Sequence, residues 1–399
     1  MKILLMHNYY QHSGGETVVL EREKAVLEEH GQEVRIVATH SNQITSMLSK
    51  VAAAAKSIYS PSARRMAEAE ISAFKPDIVH VHNFLPLLSP SVYYACHSAG
   101  VPVVQSIHNY RQVCPGGQLL RSGRVCELCV KKRFAWPGIV HACYKGSTAA
   151  TATVAAMLSI HHALGTWEKL VDVYIAPCDF VRQKLIEGGV PPLKIEIKPH
   201  FVDDDGCVGD GKGGYALFAG RLSPEKGVDT LLASWEELDN IIPLIIAGDG
   251  SSAALLSDAQ AKIQNLKCLG WVPHESVRDL MRGAAFLIVP SKWYEAFGLV
   301  IIEAFSVGTP VIVSAFGAIQ ELVCDAITGW HFQPGDARDL VAKVKWAVSH
   351  PEYLREMRVR ARAEFEAKYT PERNYELLMR IYQRACAAKS HMVHVGSAR

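Results

Sequence analysis

The chain has 399 residues, 49% hydrophobic and 21% charged, a balance that supports a large core, excludes a disordered chain and makes two domains the expectation. The formal net charge of +2 excludes a global attraction to nucleic acid, so any basic patch must be local. Ten cysteines in a chain of this length do not make a disulfide scaffold.

The start, "MKILLMHNYY", has one lysine and a short apolar run and reads as a first strand, "KILLMH", rather than an export signal. The expected location is therefore cytoplasmic. Gly14-Gly15 follows, then an amphipathic helix predicted from about Thr17 to His30 and stopped at Gly31. Further strands are "EVRIVAT", "DIVHVHN" at Asp77–Asn83, "VPVVQSIHNY" at Val101–Tyr110 and "VDVYIAP" at Val171–Pro177. The alanine-rich stretch Thr148–Ile160 is too short to span a bilayer. "DDDGCVGDGKGG", Asp203–Gly214, is acidic, glycine-rich and non-periodic, which makes it a linker and argues against a metal role for Asp203, Asp204 and Asp205.

The second half repeats the alternation. Strands are predicted from Tyr215, Ile242, Ala284 and Thr309, and from about Asp336 to Lys389 the chain is helical and charged. Strands alternating with helices imply parallel βαβ units. The predicted fold class is α/β, with two doubly wound, Rossmann-like domains facing across a cleft. Ligands of such sheets bind outside the carboxyl ends of the strands.

Candidate chemistry gathers at those strand ends. In "AGRLSPEKG", Gly220, Arg221 and Lys226 follow a strand and read either as an anion clamp or as a solvated loop. Gly248 and Gly250 in "IIAGDGSS" suit close backbone approach to a ligand, and an ordinary turn explains them equally well. In "SKWYEAFGLVIIEAF", Glu295 and Glu303 bracket Gly298, which opens a predicted helix whose first N–H groups lack partners and whose dipole favours an anion. Helical side chains lean toward the N-terminus, so Glu303 can reach a ligand there, and paired acids suit a polyhydroxylated one. A first-turn acid and a core ion pair form the structural alternative. His108 stands at the exit of the fourth strand and reads either as a ligand contact, which the position favours, or as a satisfied structural group. Gly14-Gly15 is phosphate-friendly but matches neither a dinucleotide nor a P-loop fingerprint.

Cys114, Cys126, Cys129 and Cys143 lie in an insertion spanning about residues 110–147. One C-x-x-C knuckle and two further thiols are enough for a tetrahedral zinc, and unrelated thiols in an insertion are the alternative. "VKKRFAWPGIV", Val130–Val140, mixes cations with aromatics in a way that suits an anionic membrane surface as well as solvent.

On these residues the chain resembles the retaining GT-B glycosyltransferases of family 4. The most specific element is the E-x7-E pattern Glu295–Glu303. "GRLSPEKG" resembles the family's phosphate segment, "SGGET" its N-terminal glycine loop, and His108-Asn109 stands where the family carries an active-site histidine. Asn109 and Ala296 depart from common family residues.

The resemblance implies residues 1–200 as the acceptor domain, 201–368 as the nucleotide-sugar domain, and 369–399 as a helix crossing back, plus a tail. It implies Arg221 and Lys226 on the diphosphate, Glu303 on the ribose, Glu295 on the donor sugar, and backbone N–H groups of Gly298, Leu299 and Val300 on the sugar or phosphates. Gly15 would close on the diphosphate and His108 would contact the sugar near the reacting carbon.

The activity implied is transfer from a nucleotide sugar, UDP at the family level, to a glycan or lipid-linked acceptor in cell-surface polysaccharide or glycoconjugate synthesis. No catalytic metal is expected, because no DxD motif stands at a strand exit. Nucleic acid is not an expected partner, and peripheral contact with the inner face of the cell membrane is. A sucrose- or trehalose-type synthase or a phosphorylase on the same fold, or a non-catalytic nucleotide-sugar-binding protein, are the competing readings.

Overall fold

The apolar run Ile3–Met6 forms the fully buried middle of strand β1 (Lys2–Tyr9). It leads into helix α1 (Gly15–Glu29), which starts two residues before the predicted Thr17 and ends ahead of Gly31, the left-handed turn residue that the sequence singles out. The computed structural model describes residues 1–10, 14–43 and 46–396. Contacts divide the chain into two units: Met1–Leu119, Glu127–Pro199 and Asn374 onward, and Leu120–Cys126 with His200–Arg373.

The first unit continues through β2 (Glu33–His40), α2 (Met47–Ile58), α3 (Pro61–Phe74), β3 (Ile78–Asn83), α4 (Ser91–Ser98) and β4 (Val103–Ser106). The short hairpin β5 (Leu120–Arg121) and β6 (Arg124–Val125) belongs to the other unit. The first unit resumes with α5 (Trp136–Val140), α6 (Thr148–Ala163), α7 (Thr166–Lys169), β7 (Val173–Ala176), α8 (Asp179–Glu187) and β8 (Ile195–Ile197). Its six strands pair in parallel in the order β2-β1-β3-β4-β7-β8. The order reverses between β1 and β3, and that switch point is where doubly wound sheets bind ligands.

The second unit contains β9 (Ala216–Ala219), α9 (Val228–Leu238), β10 (Leu244–Ala247), α10 (Ala254–Lys262), β11 (Leu266–Gly270), α11 (His274–Gly283) and β12 (Phe286–Val289). It continues with α12 (Leu299–Ser306), β13 (Val311–Ser314), α13 (Gly317–Leu322), β14 (Gly329–Phe332), α14 (Ala337–Ser349) and α15 (Pro351–Lys368). Its parallel sheet runs β11-β10-β9-β12-β13-β14, with the switch point between β9 and β12. The last helix, α16 (Pro371–Gly396), places Leu378, Ile381, Tyr382 and Ala385 in the first unit's core with Ile3, Leu5, Ile78 and Val104.

The edge strands β8, β11 and β14 are missing from the sequence-based reading. Each is only three to five residues long, and polar residues interrupt its apolar pattern, as in "IEI" and "LKCLG". The acidic linker is strapped to the second unit rather than loose. Asp204 pairs with Arg362 at 2.6 Å, and Asp205 pairs with Arg278 at 3.3 Å and with Arg282.

Candidate functional site

In the second unit, Gly220 and Arg221 directly follow β9. The turn Pro224–Lys226 ends at Gly227, which has φ 71°, and a Cβ there would lie 1.8 Å from the Pro290 carbonyl oxygen. Only glycine lets the loop after β9 press against the end of β12. That contact brings Lys226 to Glu295, with Nζ 2.8 Å from Oε1, and Ser291 Oγ donates to the same oxygen. Glu295 is 7% exposed. Burial raises its pKa, but the Lys226 charge and hydrogen bond, with the Ser291 hydroxyl and Arg221, outweigh burial and hold the carboxyl below its ordinary value. Arg221 itself is largely exposed and lies 3.8 Å from Glu225.

Gly248 and Gly250 follow β10. A Cβ on Gly248 would sit 1.8 Å from the Gly220 oxygen, and one on Gly250 would sit 2.3 Å from the Leu222 oxygen. Close packing of the two strand-exit loops is therefore a sufficient reason for both glycines. Gly298 caps α12, whose first residues are Leu299 and Val300. Glu303 projects from the same helix, and its Oε1 lies 3.1 Å from Nε2 of His274, the first residue of α11. Sequence reasoning missed His274; its signal is its place at a helix start after a strand and Pro273. Gly220, Arg221, Lys226, Glu295 and Gly298 all follow β9 or β12, the two strands at the switch point.

In the first unit, His108 lies just beyond β4, where Ile107 N–H donates to the Ile175 carbonyl at 2.9 Å. His108 Nε2 is 3.1 Å from Nδ1 of His82 on β3, with the rings stacked at 17°. Burial, then the neighbouring His7, His80 and Lys198, lowers the His108 pKa to about 3. Burial and His40 lower His7 on β1 to about 4. These imidazoles are neutral near pH 7. Gly15 opens α1, and Glu16 beside it accepts from Asn83 Nδ2 at 3.1 Å. Burial, partly opposed by Arg111 and Asn83, pushes the Glu16 carboxyl up to about 7.

The cysteine expectation needs correction. Among the described residues the metal-competent side-chain group is Glu23, His80 and His82, and Cys114, Cys126, Cys129 and Cys143 do not converge into one. Cys114 and Cys129 are buried, and Cys129 Sγ faces the Ala135 carbonyl at 4.0 Å, so packing accounts for part of the set. Beside them, Phe134, Trp136 and Val140 are exposed together with Lys131, Lys132 and Arg133. No helix among the described residues is long and apolar enough to cross a membrane.

Two parallel, doubly wound units with candidate residues at their switch points define the GT-B class of fold. A solved structure of Anabaena HepE in complex with UDP matches 98% of this chain and 100% of its own, with TM-score 0.67 and 16% identity. The chain belongs to the family 4 glycosyltransferases: "Glycosyltransferase Family 4" matches residues 13–205 and "Glycosyl transferases group 1" matches residues 209–364. An uncharacterised glycosyltransferase of Methanocaldococcus jannaschii is 27% identical over 64% of this chain and 62% of its own length. Phosphatidyl-myo-inositol mannosyltransferase of Mycobacterium leprae is 30% identical over 44% of this chain and 47% of its own length. The chain thus spans about half to three fifths of these curated relatives.

Proposed function

We propose that the protein is a retaining, metal-independent glycosyltransferase that moves a sugar from a nucleotide sugar, with UDP as the first candidate carrier, to a glycan or lipid-linked acceptor. The observation that carries this reading is the Lys226–Glu295 pair, with its carboxylate buried, at the β9/β12 switch point, beside the start of α12. Lys226 and Arg221 take the diphosphate, and the first N–H groups of α12 add positive potential. Glu303, oriented by His274, accepts from the ribose hydroxyls, and Glu295 accepts from the sugar hydroxyls. In the first unit we assign His108 to the sugar and Gly15 to the diphosphate.

Breaking the sugar–phosphate bond builds positive charge on the sugar and negative charge on the leaving diphosphate. Preorganised cations and helix-end donors stabilise the latter without reorganising. A nucleoside diphosphate leaves readily, so no strong general acid is needed. We assign retention to front-face attack, with the acceptor entering on the side from which the diphosphate departs. The relative named for a phosphatidylinositol acceptor, and the exposed Phe134, Trp136 and basic residues, support a lipid-linked acceptor met at a membrane surface.

A thermal-shift panel of nucleotides and nucleotide sugars tests the reading, because a ligand bound only by the folded state raises the melting temperature. One nucleoside diphosphate and its sugar conjugate should stand out. A flat panel, with no transfer from any nucleotide sugar, would refute the assignment.

A further inference from the structure

We infer that Glu23 is a positioning residue that fixes, through His82, which ring nitrogen of His108 carries the proton. The inference rests on the assignment of His108 to the donor sugar, and it lies wholly within the first unit. Glu23 is buried on α1, where Oε1 accepts from the buried Lys198 Nζ at 2.5 Å. Lys198 also donates to Asn374 Oδ1 at 3.2 Å. Among the described residues the other carboxylate oxygen, Oε2, has no hydrogen-bond partner, and neither does His82 Nε2. These two buried atoms face each other at 3.6 Å.

That separation is longer than a hydrogen bond, yet it decides the tautomer. A carboxylate oxygen attracts an N–H and repels a ring lone pair at such a distance, and no solvent screens the interaction. His82 therefore carries its proton on Nε2, and its Nδ1 can only accept. His82 Nδ1 lies 3.1 Å from His108 Nε2. His108 must then donate from Nε2, which leaves its Nδ1 as a lone pair. An unprotonated Nδ1 is a hydrogen-bond acceptor, so the tautomer decides whether that side of the ring offers an acceptor or an N–H.

His80 does not compete with His82 for Glu23. His80 is 4.0 Å from Glu23 Oε2, but its Nδ1 is bonded to Tyr382 Oη and its Nε2 to Ser106 Oγ, each at 2.8 Å. Among the described residues neither nitrogen of His7 finds a hydrogen-bond partner. The same geometry argues against a metal ion at Glu23, His80 and His82: Lys198 already neutralises the carboxylate, and both His80 nitrogens are engaged.

The test is a long-range ¹⁵N–¹H correlation spectrum of the full-length, histidine-labelled protein, assigned with His82→Gln and His108→Gln. The expected result is the Nε2–H tautomer at both residues. Glu23→Gln alone strands the buried Lys198 charge, so the informative variant is Glu23→Gln with Lys198→Met, in which the Nε2–H preference should be lost. An Nδ1–H tautomer at His82 in the unmodified protein would overturn the proposal. So would a folded paired variant with unchanged tautomers, or a stoichiometric metal ion that the paired variant releases.

Turnover of UDP-glucose, UDP-galactose and UDP-N-acetylglucosamine supplies the second readout. The paired variant should lower kcat/KM by about tenfold, and should cost nothing further in a His108→Gln background, because the effect passes through His108. If the spectra match but the paired variant turns over normally, the assignment of His108 to the sugar fails while the tautomer relay stands.

Discussion

Separating Lys226 from Glu295 has a magnitude that follows from the geometry. Replacing Lys226 with Met removes the ammonium 2.8 Å from a buried carboxylate, while the Ser291 hydroxyl and the Arg221 charge stay beside Glu295. Breaking a buried pair in this way costs about 3–5 kcal/mol. Because the Lys226 side chain is 20% exposed, water can reach the gap and the lower end of that range applies. Binding changes separately. One charge-assisted hydrogen bond to a diphosphate contributes about 1.5–3 kcal/mol, which corresponds to about 10–150-fold in Kd. Glu295→Gln does the opposite. An amide oxygen still accepts from Lys226 and Ser291, so the unit stays within about 1.5 kcal/mol of its original stability. The diphosphate no longer has to draw Lys226 from a counter-charge, so UDP should bind as well as before or better. Sugar transfer should fall by about a hundredfold, because a neutral amide accepts more weakly from hydroxyls as charge builds on the sugar. Calorimetric titration with UDP, alongside initial rates of transfer, separates the two effects. A folded Lys226→Met that binds UDP with unchanged affinity, or a Glu295→Gln that transfers at the normal rate, would refute the reasoning.

The histidines of the first unit predict acid sensitivity. His7 and His108 are neutral when folded, with pKa values near 4 and 3, and regain ordinary values near 6.5 on unfolding. The stability they contribute is present above pH 6.5 and is lost as pH falls toward 4, together removing about 2–3 kcal/mol between pH 7.5 and 5.5. Hydrogen exchange of β1 and β4 peptides, corrected for intrinsic rates, should show that loss, and protection independent of pH would contradict it. His274→Ala should raise the donor KM several-fold at nearly constant kcat, since an exposed histidine–carboxylate pair is worth at most about 1 kcal/mol; an unchanged KM would remove His274 from the site. Flotation with vesicles should recover the protein on anionic lipid and less on neutral lipid, and Trp136→Ala with Lys132→Glu should abolish recovery; equal recovery of the variant would dismiss the membrane surface.

What the sequence made legible, and what it hid, follows one physical line. Buried parallel strands such as Leu244–Ala247 and Phe286–Val289 are continuous apolar runs and could be read directly. Short edge strands such as Ile195–Ile197 and Leu266–Gly270 pack on fewer neighbours, tolerate polar residues and lose that signature, whereas the eight-residue edge strand Glu33–His40 keeps enough of it to be read. Residues at strand exits were legible because doubly wound sheets leave their ligand groups there, whatever the ligand. Pairings between such exits were not. The motifs alone assign Lys226 to the diphosphate and Glu295 to the sugar, whereas the fold makes the two partners across 69 residues.

The histidine relay makes the same point more sharply. "HVHN" already implies that His80 and His82 share one face of a strand, because side chains alternate with a period of two. Histidines rather than aliphatics on the buried face of a strand are the one local signal of the relay. Their partners could not have been found locally. Glu23 meets Lys198 across 175 residues, and His82 meets His108 only because β3 and β4 pair with His80 opposite Val104. A strand register places side chains with a tolerance no local pattern carries: a slip of one residue would turn His82 to the opposite face and leave Glu23 with Lys198 alone. Sequence thus identifies which residues stand at a strand exit, whereas the register decides whether two of them form a clamp, a counter-ion pair or a relay.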